Sequence, residues 1–265
     1  VDDVTPRDKR NLDILRKLIA QAHGEALSQL AAELADDDRI GVRRAIESAL
    51  AHERARSNEL QRLKALYAME AELRARGLFV IAGVDEVGRG ALAGPMSAGA
   101  CVLPAEPHIE GLNDSKQLTP QRREELAVVI REVAVCWSVG HVSAAEVDAL
   151  GMTAALRRAV GRALAGLEPA AEHVLVDGHR MGVHENETNV IKGDSKVAAI
   201  AAASILAKVT RDALMRQMAE QHPQFRFDVN KGYGTAEHWA AIREHGLCSE
   251  HRRSFVPGGG TEPLF

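Results

Sequence analysis

An apolar run from Phe79 to Val84 ends in two adjacent acids, Asp85 and Glu86, and passes through Gly88-Arg89-Gly90 into a second apolar run, Met96 to Leu103. Pro95 interrupts any helix between them, so the two runs are strands joined by a loop. Val133 to Val142, where Val133, Val135, Trp137 and Val139 alternate, reads as a third strand, with later ones at Val174 to Asp177 and Val190 to Ile191. Helices are predicted at 120–132, 152–166, 195–220 and 235–245, the first capped by Thr119 with Pro120 at its first position. Two strands with no helix between them, then strands alternating with helices, predict an α/β fold. Its sheet is mixed, flanked by helices, and not wholly parallel.

The acids at the strand ends need a partner. Two carboxylates about 4 Å apart repel by ~4 kcal/mol at an effective dielectric near 20, so Asp85 and Glu86 either share a proton or hold a cation. The plain alternative is a solvated strand end. Two later β-prone runs also lead into acids: Glu172 to Gly178, carrying Asp177, and Asn189 to Ser195, carrying Asp194 ahead of a helix. This repetition favours the cation.

Residues 1–77 have a different composition. They lack proline after Pro6, contain only Gly24 and Gly41 before Gly77, and are dense in Ala, Leu, Glu and Arg, which is helical composition. Leu12, Leu15, Leu18 and Ile19 form one apolar stripe, and Ala26, Leu27, Leu30, Ala31 and Leu34 a second, with Gly24 as a stop between them. Asp36-Asp37-Asp38 can cap a third helix from Arg39, with Val42, Ile46, Ala49 and Leu50 on its inner face. Its middle, His52 to Glu59, is polar; periodicity returns at Leu60, Leu63, Tyr67 and Leu73 and stops at Gly77. The prediction is an all-helical N-terminal extension over 1–77, used for packing or oligomerisation or for gripping a substrate. The α/β domain then spans 78–256, with a flexible tail over 257–265.

With 265 residues the chain can bury a full core and carry an appendage. A formal charge of −4 excludes a generally basic surface, so any nucleic acid is met by a local patch. Cys101, Cys136 and Cys248 lack CxxC spacing, which points to a reducing, cytoplasmic setting with neither a disulfide framework nor a zinc ribbon. No apolar run approaches the ~20 residues of a membrane span, and Val1-Asp2-Asp3 opens no secretory pattern. The eleven histidines show no HExxH or other ligand spacing, so none is assigned to metal.

Gly88-Arg89-Gly90-Ala91-Leu92-Ala93 has the GxGxxA form of a dinucleotide fingerprint. Asp85 and Glu86 would then face the pyrophosphate, Pro95 breaks the helix that should follow, and Met96 to Leu103 reads as strand; these count against that reading, charge most of all. The glycines still let backbone N–H groups approach a ligand closely, and Arg89 suits phosphate.

Taken in order, the motifs resemble bacterial ribonuclease HII. They are Gly83-Val84-Asp85-Glu86-Val87-Gly88-Arg89-Gly90, Leu112-Asn113-Asp114-Ser115-Lys116, Val176-Asp177-Gly178, Lys192-Gly193-Asp194-Ser195, Ala202 to Asp212, Lys231-Gly232-Tyr233 and His251-Arg252-Arg253-Ser254-Phe255, together covering 79–256. The resemblance implies an RNase H-like fold and hydrolysis of the RNA strand of RNA/DNA hybrids, including cleavage on the 5′ side of single ribonucleotides in duplex DNA. The ends left are 3′-hydroxyl and 5′-phosphate. Asp85, Glu86, Asp177 and Asp194 match the family's metal-binding acids, which hold two divalent cations, Mg²⁺ or Mn²⁺. Asp85, deepest in its strand, is the expected bridging ligand. Gly88-Arg89-Gly90 matches the turn that feels the 2′-hydroxyl, the group that separates RNA from DNA. Tyr233 matches the tyrosine packing on the following deoxynucleotide sugar, a role suited to an aromatic on a loop.

Ser115, Lys116, Lys192, Lys208, Arg211 and Lys231 are the further substrate contacts expected, Ser195 and Ser204 cap or pack helices, and Trp137 is core. Asn230 and Gly234 stand where the family often has histidine and proline, which predicts a looser tyrosine loop. Thr261 to Phe265 resembles short Leu-Phe-ended peptides that bind sliding clamps. A monomer is expected. The competing readings are ribonuclease HIII, a non-catalytic hybrid-binding module and an NAD-binding oxidoreductase.

Overall fold

The computed structural model describes residues 12–257. Within them the chain divides into two compact units between Arg62 and Leu63. The first holds α1 (Leu12–Gln21), α2 (Gly24–Glu33) and most of α3 (Ile40–Leu66) around a small core of Leu15, Ile19, Leu27 and Val42. Asp37 accepts from the Arg39 N–H at 3.0 Å just ahead of α3.

The second unit opens with the last residues of α3 and with α4 (Ala68–Ala75), and continues through β1 (Ile81–Val87), β2 (Met96–Val102), α5 (Pro120–Val133), β3 (Cys136–Val142), α6 (Ala144–Leu150) and α7 (Met152–Ala165). It ends with β4 (His173–Asp177), β5 (Glu187–Val190), α8 (Ala198–Gln221), α9 (Phe227–Asn230) and α10 (Ala236–His245). The helix expected to run from Arg39 to Gly77 is broken at Tyr67. Its second part, α4, belongs to the sheet unit through Leu73, which packs with Ile81, Leu175 and Ile200, and the end of α3 joins the same unit because Leu63, Leu66 and Tyr67 pack in a core with residues of α5 and α8. Packing thus divides the chain earlier than composition, which changes only at Gly77.

The sheet has the order β3-β2-β1-β4-β5, with β1-β2 and β2-β3 antiparallel and β1-β4 and β4-β5 parallel, as a mixed sheet requires. Successive side chains on a strand point to opposite faces. On β1, Ala82 and Val84 join the core that includes Ala155, Ala159 and Val160 of α7, whereas Ile81 joins Ile200 on the α8 face.

Helix α8 lies unusually close to the sheet. A Cβ at Gly83 would stand 2.1 Å from the carbonyl carbon of Ala199, and one at Gly99 2.2 Å from the Ala203 oxygen. Gly99 is the register partner of Asp85 across the β1-β2 ladder, so these glycines bring the α8 backbone against the strand that carries Asp85.

Three local expectations change. The strand expected at 133–142 begins only at Cys136, because α5 continues to Val133. Trp137 is not core: on the edge strand β3 it is 37 % exposed, with the Arg131 guanidinium 5.4 Å over its ring. Helix α6 was not anticipated, although its capping box, Ser143 with Glu146, is a short-range sequence signal.

Candidate active site

Asp85 lies near the C-terminal end of β1, and Asp177 ends the adjacent parallel strand β4, one step past the Val84–Val176 pair. Asp194 arrives differently. Strand β5 stops at Val190, Lys192 takes a left-handed conformation (φ 57°), and a 3₁₀ turn over Gly193–Ser195 carries Asp194 inward. One carboxylate oxygen from each of Asp85, Asp177 and Asp194 lies within 4.8 Å of the others. Asp85 and Asp194 are buried, Asp177 half-buried.

Each carboxylate has a support. Asp85 accepts from the Glu86 N–H at 2.8 Å and has near it the Ser204 hydroxyl, which pairs with the Ser115 hydroxyl at 2.8 Å. Asp177 accepts from the Gly193 N–H at 2.6 Å, tying β4 to the turn that holds Asp194. Lys116 donates to Asp194 at 2.8 Å from a 3₁₀ turn capped by Asp114. Burial pushes the Asp85 carboxyl up to about 7, with Glu86 and Asp177 acting in the same direction against the Ser204 hydroxyl. Three carboxylates compressed this way, offering only oxygen, fit a hard divalent cation.

Glu86 stands apart from this triad. Adjacent strand residues face opposite sides of the sheet, and the Glu86 carboxylate lies 3.7 Å from the Arg89 guanidinium. The closest crowding is between acids from separate segments, while the charge of the sequence neighbour Glu86 still adds to the shift of Asp85.

Two buried arginines shape the loop after β1. Arg252 donates to the carbonyls of Gly88, Arg89 and Gly94. Arg211, wholly buried on α8, donates to those of Pro95, Ala93 and Lys231. With its carbonyls drawn inward, the turn leaves Arg89 and Gly90 exposed, and no loop hydrogen bond among the described residues uses their N–H groups. Gly88 (φ 84°) has no room for a side chain, since a Cβ would meet Arg211 at 2.2 Å. Around Gly90 nothing lies within 4 Å, so the protein's own packing does not demand glycine there.

The Tyr233 loop packs beside this turn. Gly232 accepts from the Leu92 and Ala93 N–H groups, and the Tyr233 ring, 36 % exposed, lies 5.5 Å from the Arg211 guanidinium carbon. The loop is not loose. Asn230 donates to Phe225 O at 2.6 Å and accepts from Gly232 N at 2.8 Å.

A sequence profile described as ribonuclease HII matches residues 82–257, most of the sheet unit. The chain belongs to the ribonuclease HII family. A second profile, described as the ribonuclease HII N-terminal domain, matches 13–74. The ribonuclease HII of Shouchella clausii is 44 % identical over 225 residues, covering 85 % of this chain and 87 % of that protein. That of Moorella thermoacetica is 48 % identical over 203 residues, covering 76 % and 98 %. Among solved structures, ribonuclease H2 from Pyrococcus horikoshii is 28 % identical with a TM-score of 0.57, covering 66 % of this chain and 92 % of that one. RNase HII from Archaeoglobus fulgidus, solved in a PCNA:RNase HII complex, is 26 % identical with a TM-score of 0.59, covering 69 % and 97 %. Family membership makes this chain a metal-dependent endonuclease, a type 2 ribonuclease H acting on RNA/DNA hybrids. Among the described residues no helix is long and apolar enough to cross a membrane.

The residues expected to touch a ribonuclease HII substrate separate into two groups. Lys116 stands at the triad, Lys192 is exposed near Asp194, and Lys208 and Lys231 are half-buried, engaged with Asp212 and with the Asp228 carbonyl. Two expectations are corrected. Arg211 is no phosphate contact, because its guanidinium is buried and bound to three carbonyls. The Ser115 hydroxyl is likewise buried against Ser204, as a support for Asp85. Ser204, expected only to cap or pack a helix, is indeed buried, but its place beside Asp85 is not legible in sequence: in the fully buried stretch Ala198–Ala207 no periodicity singles out one face. Ser195 caps no helix but donates to Lys192 O.

Proposed function

We propose that this ribonuclease cuts on the 5′ side of single ribonucleotides in duplex DNA as well as within RNA/DNA hybrids, leaving 3′-hydroxyl and 5′-phosphate ends, and that residues 78–256 carry the catalysis. The observation that carries this reading is the convergence of Asp85, Asp177 and Asp194 within 4.8 Å beside a glycine turn with free N–H groups. Asp85, Asp177 and Asp194, with Glu86 at the rim, would hold two divalent cations, Mg²⁺ or Mn²⁺. Such ions supply an activated water and a stabilised leaving oxygen for in-line hydrolysis. Asp85 would meet them as the carboxylate, with Ser204 beside it and the Gly193 N–H holding Asp177 in place. Lys116 offers a cation both to Asp194 and to a phosphate entering the site. The exposed N–H groups of Arg89 and Gly90 face the 2′-hydroxyl, and the exposed Tyr233 ring offers a stacking surface to the next sugar.

The deciding assay is Mg²⁺-dependent cleavage of a duplex with one embedded ribonucleotide, beside an uninterrupted hybrid and an all-DNA duplex. Cleavage of the first two and not the third is expected. A protein that cuts the hybrid but leaves the single ribonucleotide intact would behave as ribonuclease HIII does and overturn the finer reading; no cleavage at all would leave a binding module. A sliding-clamp contact through Leu264 and Phe265, which lie outside the described residues, is supported by the archaeal relative solved with PCNA. Removing those two residues should abolish binding to the clamp; unchanged binding would end that assignment.

A further inference from the structure

Behind the Tyr233 loop runs a buried line of hydrogen bonds that the acid triad does not use. His238 and His251 are 0 % and 2 % exposed, and their Nε2 atoms are 3.0 Å apart. His238 Nδ1 lies 2.9 Å from the Tyr233 carbonyl oxygen, which also accepts from the Thr235 N–H at 2.8 Å, and His251 Nδ1 lies 3.0 Å from the Cys248 backbone nitrogen and 3.1 Å from its Sγ.

The partners at the two ends determine where the protons sit. A carbonyl oxygen only accepts, so His238 Nδ1 carries hydrogen; a backbone N–H only donates, so His251 Nδ1 carries none. His238 Nε2 is then bare and receives the hydrogen on His251 Nε2. Each ring is neutral and held in one tautomer. Two aromatic rings enclose the pair: Phe225 stands edge-on to His251 at 4.7 Å and Phe227 edge-on to His238 at 5.5 Å. Burial, with His238 alongside, pushes His251 down to about 4, in keeping with a neutral ring.

We propose that His238 and His251 form a neutral two-imidazole relay that fixes the Tyr233 carbonyl and thereby sets how strongly the enzyme prefers an RNA-to-DNA junction. The inference rests on the stacking role given to Tyr233 above. The Tyr233 N–H is held by Asn230 O at 3.0 Å, and its carbonyl takes the Thr235 N–H at 2.8 Å as well as His238, so both peptide groups flanking the Cα are fixed, with His238 closing the second acceptor site of that oxygen. The ring then needs to order only its own two side-chain torsions to meet a sugar.

The test measures, with Mg²⁺, the ratio of cleavage at a single embedded ribonucleotide to cleavage of an uninterrupted hybrid, in the full chain. Tyr233→Ala and His238→Ala should each lower the ratio roughly fivefold or more, the low end of what one stacking contact contributes. The double variant should fall no further than Tyr233→Ala. His238→Asn, whose amide can donate to the same carbonyl, should restore most of the preference. A purely structural role for His238 would depress both substrates alike and leave the ratio unchanged. That result, with the ratio still lost in Tyr233→Ala, sinks the relay alone. An unchanged ratio in Tyr233→Ala sinks the stacking reading and the relay's effect on preference with it. Because these histidines are core, a second measurement uses the unaltered protein: ¹⁵N spectra of the imidazoles at about pH 7 should show His238 with Nδ1–H and His251 with Nε2–H. The opposite tautomers, or a charged ring, would refute the relay.

Discussion

Arg252 Nη1 donates to the carbonyl oxygen of Gly88 at 2.7 Å, joining residues 164 positions apart. Through Gly88, Arg89 and Gly94, one buried side chain holds the carbonyls of the loop between β1 and β2, whose Arg89 and Gly90 N–H groups take part in no loop hydrogen bond among the described residues. Burial, with Arg211 close by, pushes Arg252 down to about 10, so the charge is held at a cost and is not neutralised by a bonded carboxylate. Arg252→Lys should keep a cation but lose the fork, leaving carbonyls unpaired and lowering stability by roughly 3 kcal/mol or more. Urea unfolding measures this, and a midpoint unchanged from wild type would show that the fork does not hold the loop.

Gly99→Ala should be among the most damaging small substitutions in the sheet. Its Cβ would lie 2.2 Å from the Ala203 oxygen, so α8 must lift from the strand, and Ser204, the next residue along, would leave Asp85. A loss of about 1–3 kcal/mol is expected, with cleavage activity falling further than that stability change alone explains. Gly161, with open space around it, is the matched control and should tolerate alanine.

Glu70 joins the segment just before the sheet to the same helix. It is 1 % exposed; one carboxylate oxygen accepts from the Ala199 N–H at 2.8 Å and the other has no partner. Burial raises its pKa, with the bond from Ala199 acting against that shift. Glu70→Ala should cost about 1–3 kcal/mol through the uncapped N–H of α8. Glu70→Gln keeps the acceptor and should cost less, as thermal unfolding of the two variants would show.

Asp85 gives the metal-free protein a pH dependence of known sign. Its carboxyl is raised from 3.8 to about 7, chiefly by burial. The folded state therefore keeps a proton that the unfolded chain releases, so this stability is complete below 3.8 and gone above about 7. Glu86 and Glu70 shift the same way. Without metal, thermal stability should fall as pH rises through that window, and Asp85→Asn, which cannot ionise, should be more stable than wild type near pH 8. Mg²⁺ should stabilise the wild type at that pH and the variant much less.

Sequence captured what is carried by local pattern. The strands carrying Asp85 and Asp177 and the long helix α8 follow from apolar runs and their breaks. Asp194 was recognised although its approach was not: a left-handed Lys192 and a 3₁₀ turn leave no periodic trace. Arg211 was misassigned because a cation inside a motif looks like a phosphate contact, whereas its burial is decided by carbonyls from residues 93, 95 and 231. The same holds for the His238–His251 pair, which is made by two segments that meet only in the folded chain.

The central claim, that Asp85, Asp177 and Asp194 form the metal-holding catalytic centre, is tested most directly by Asp194→Asn. The substitution preserves shape while removing one charge from the triad. Mn²⁺ binding should weaken and Mg²⁺-dependent cleavage of an RNA/DNA hybrid should fall by roughly a hundredfold or more, with the fold intact by circular dichroism. Normal cation binding and normal turnover in that variant would contradict the account.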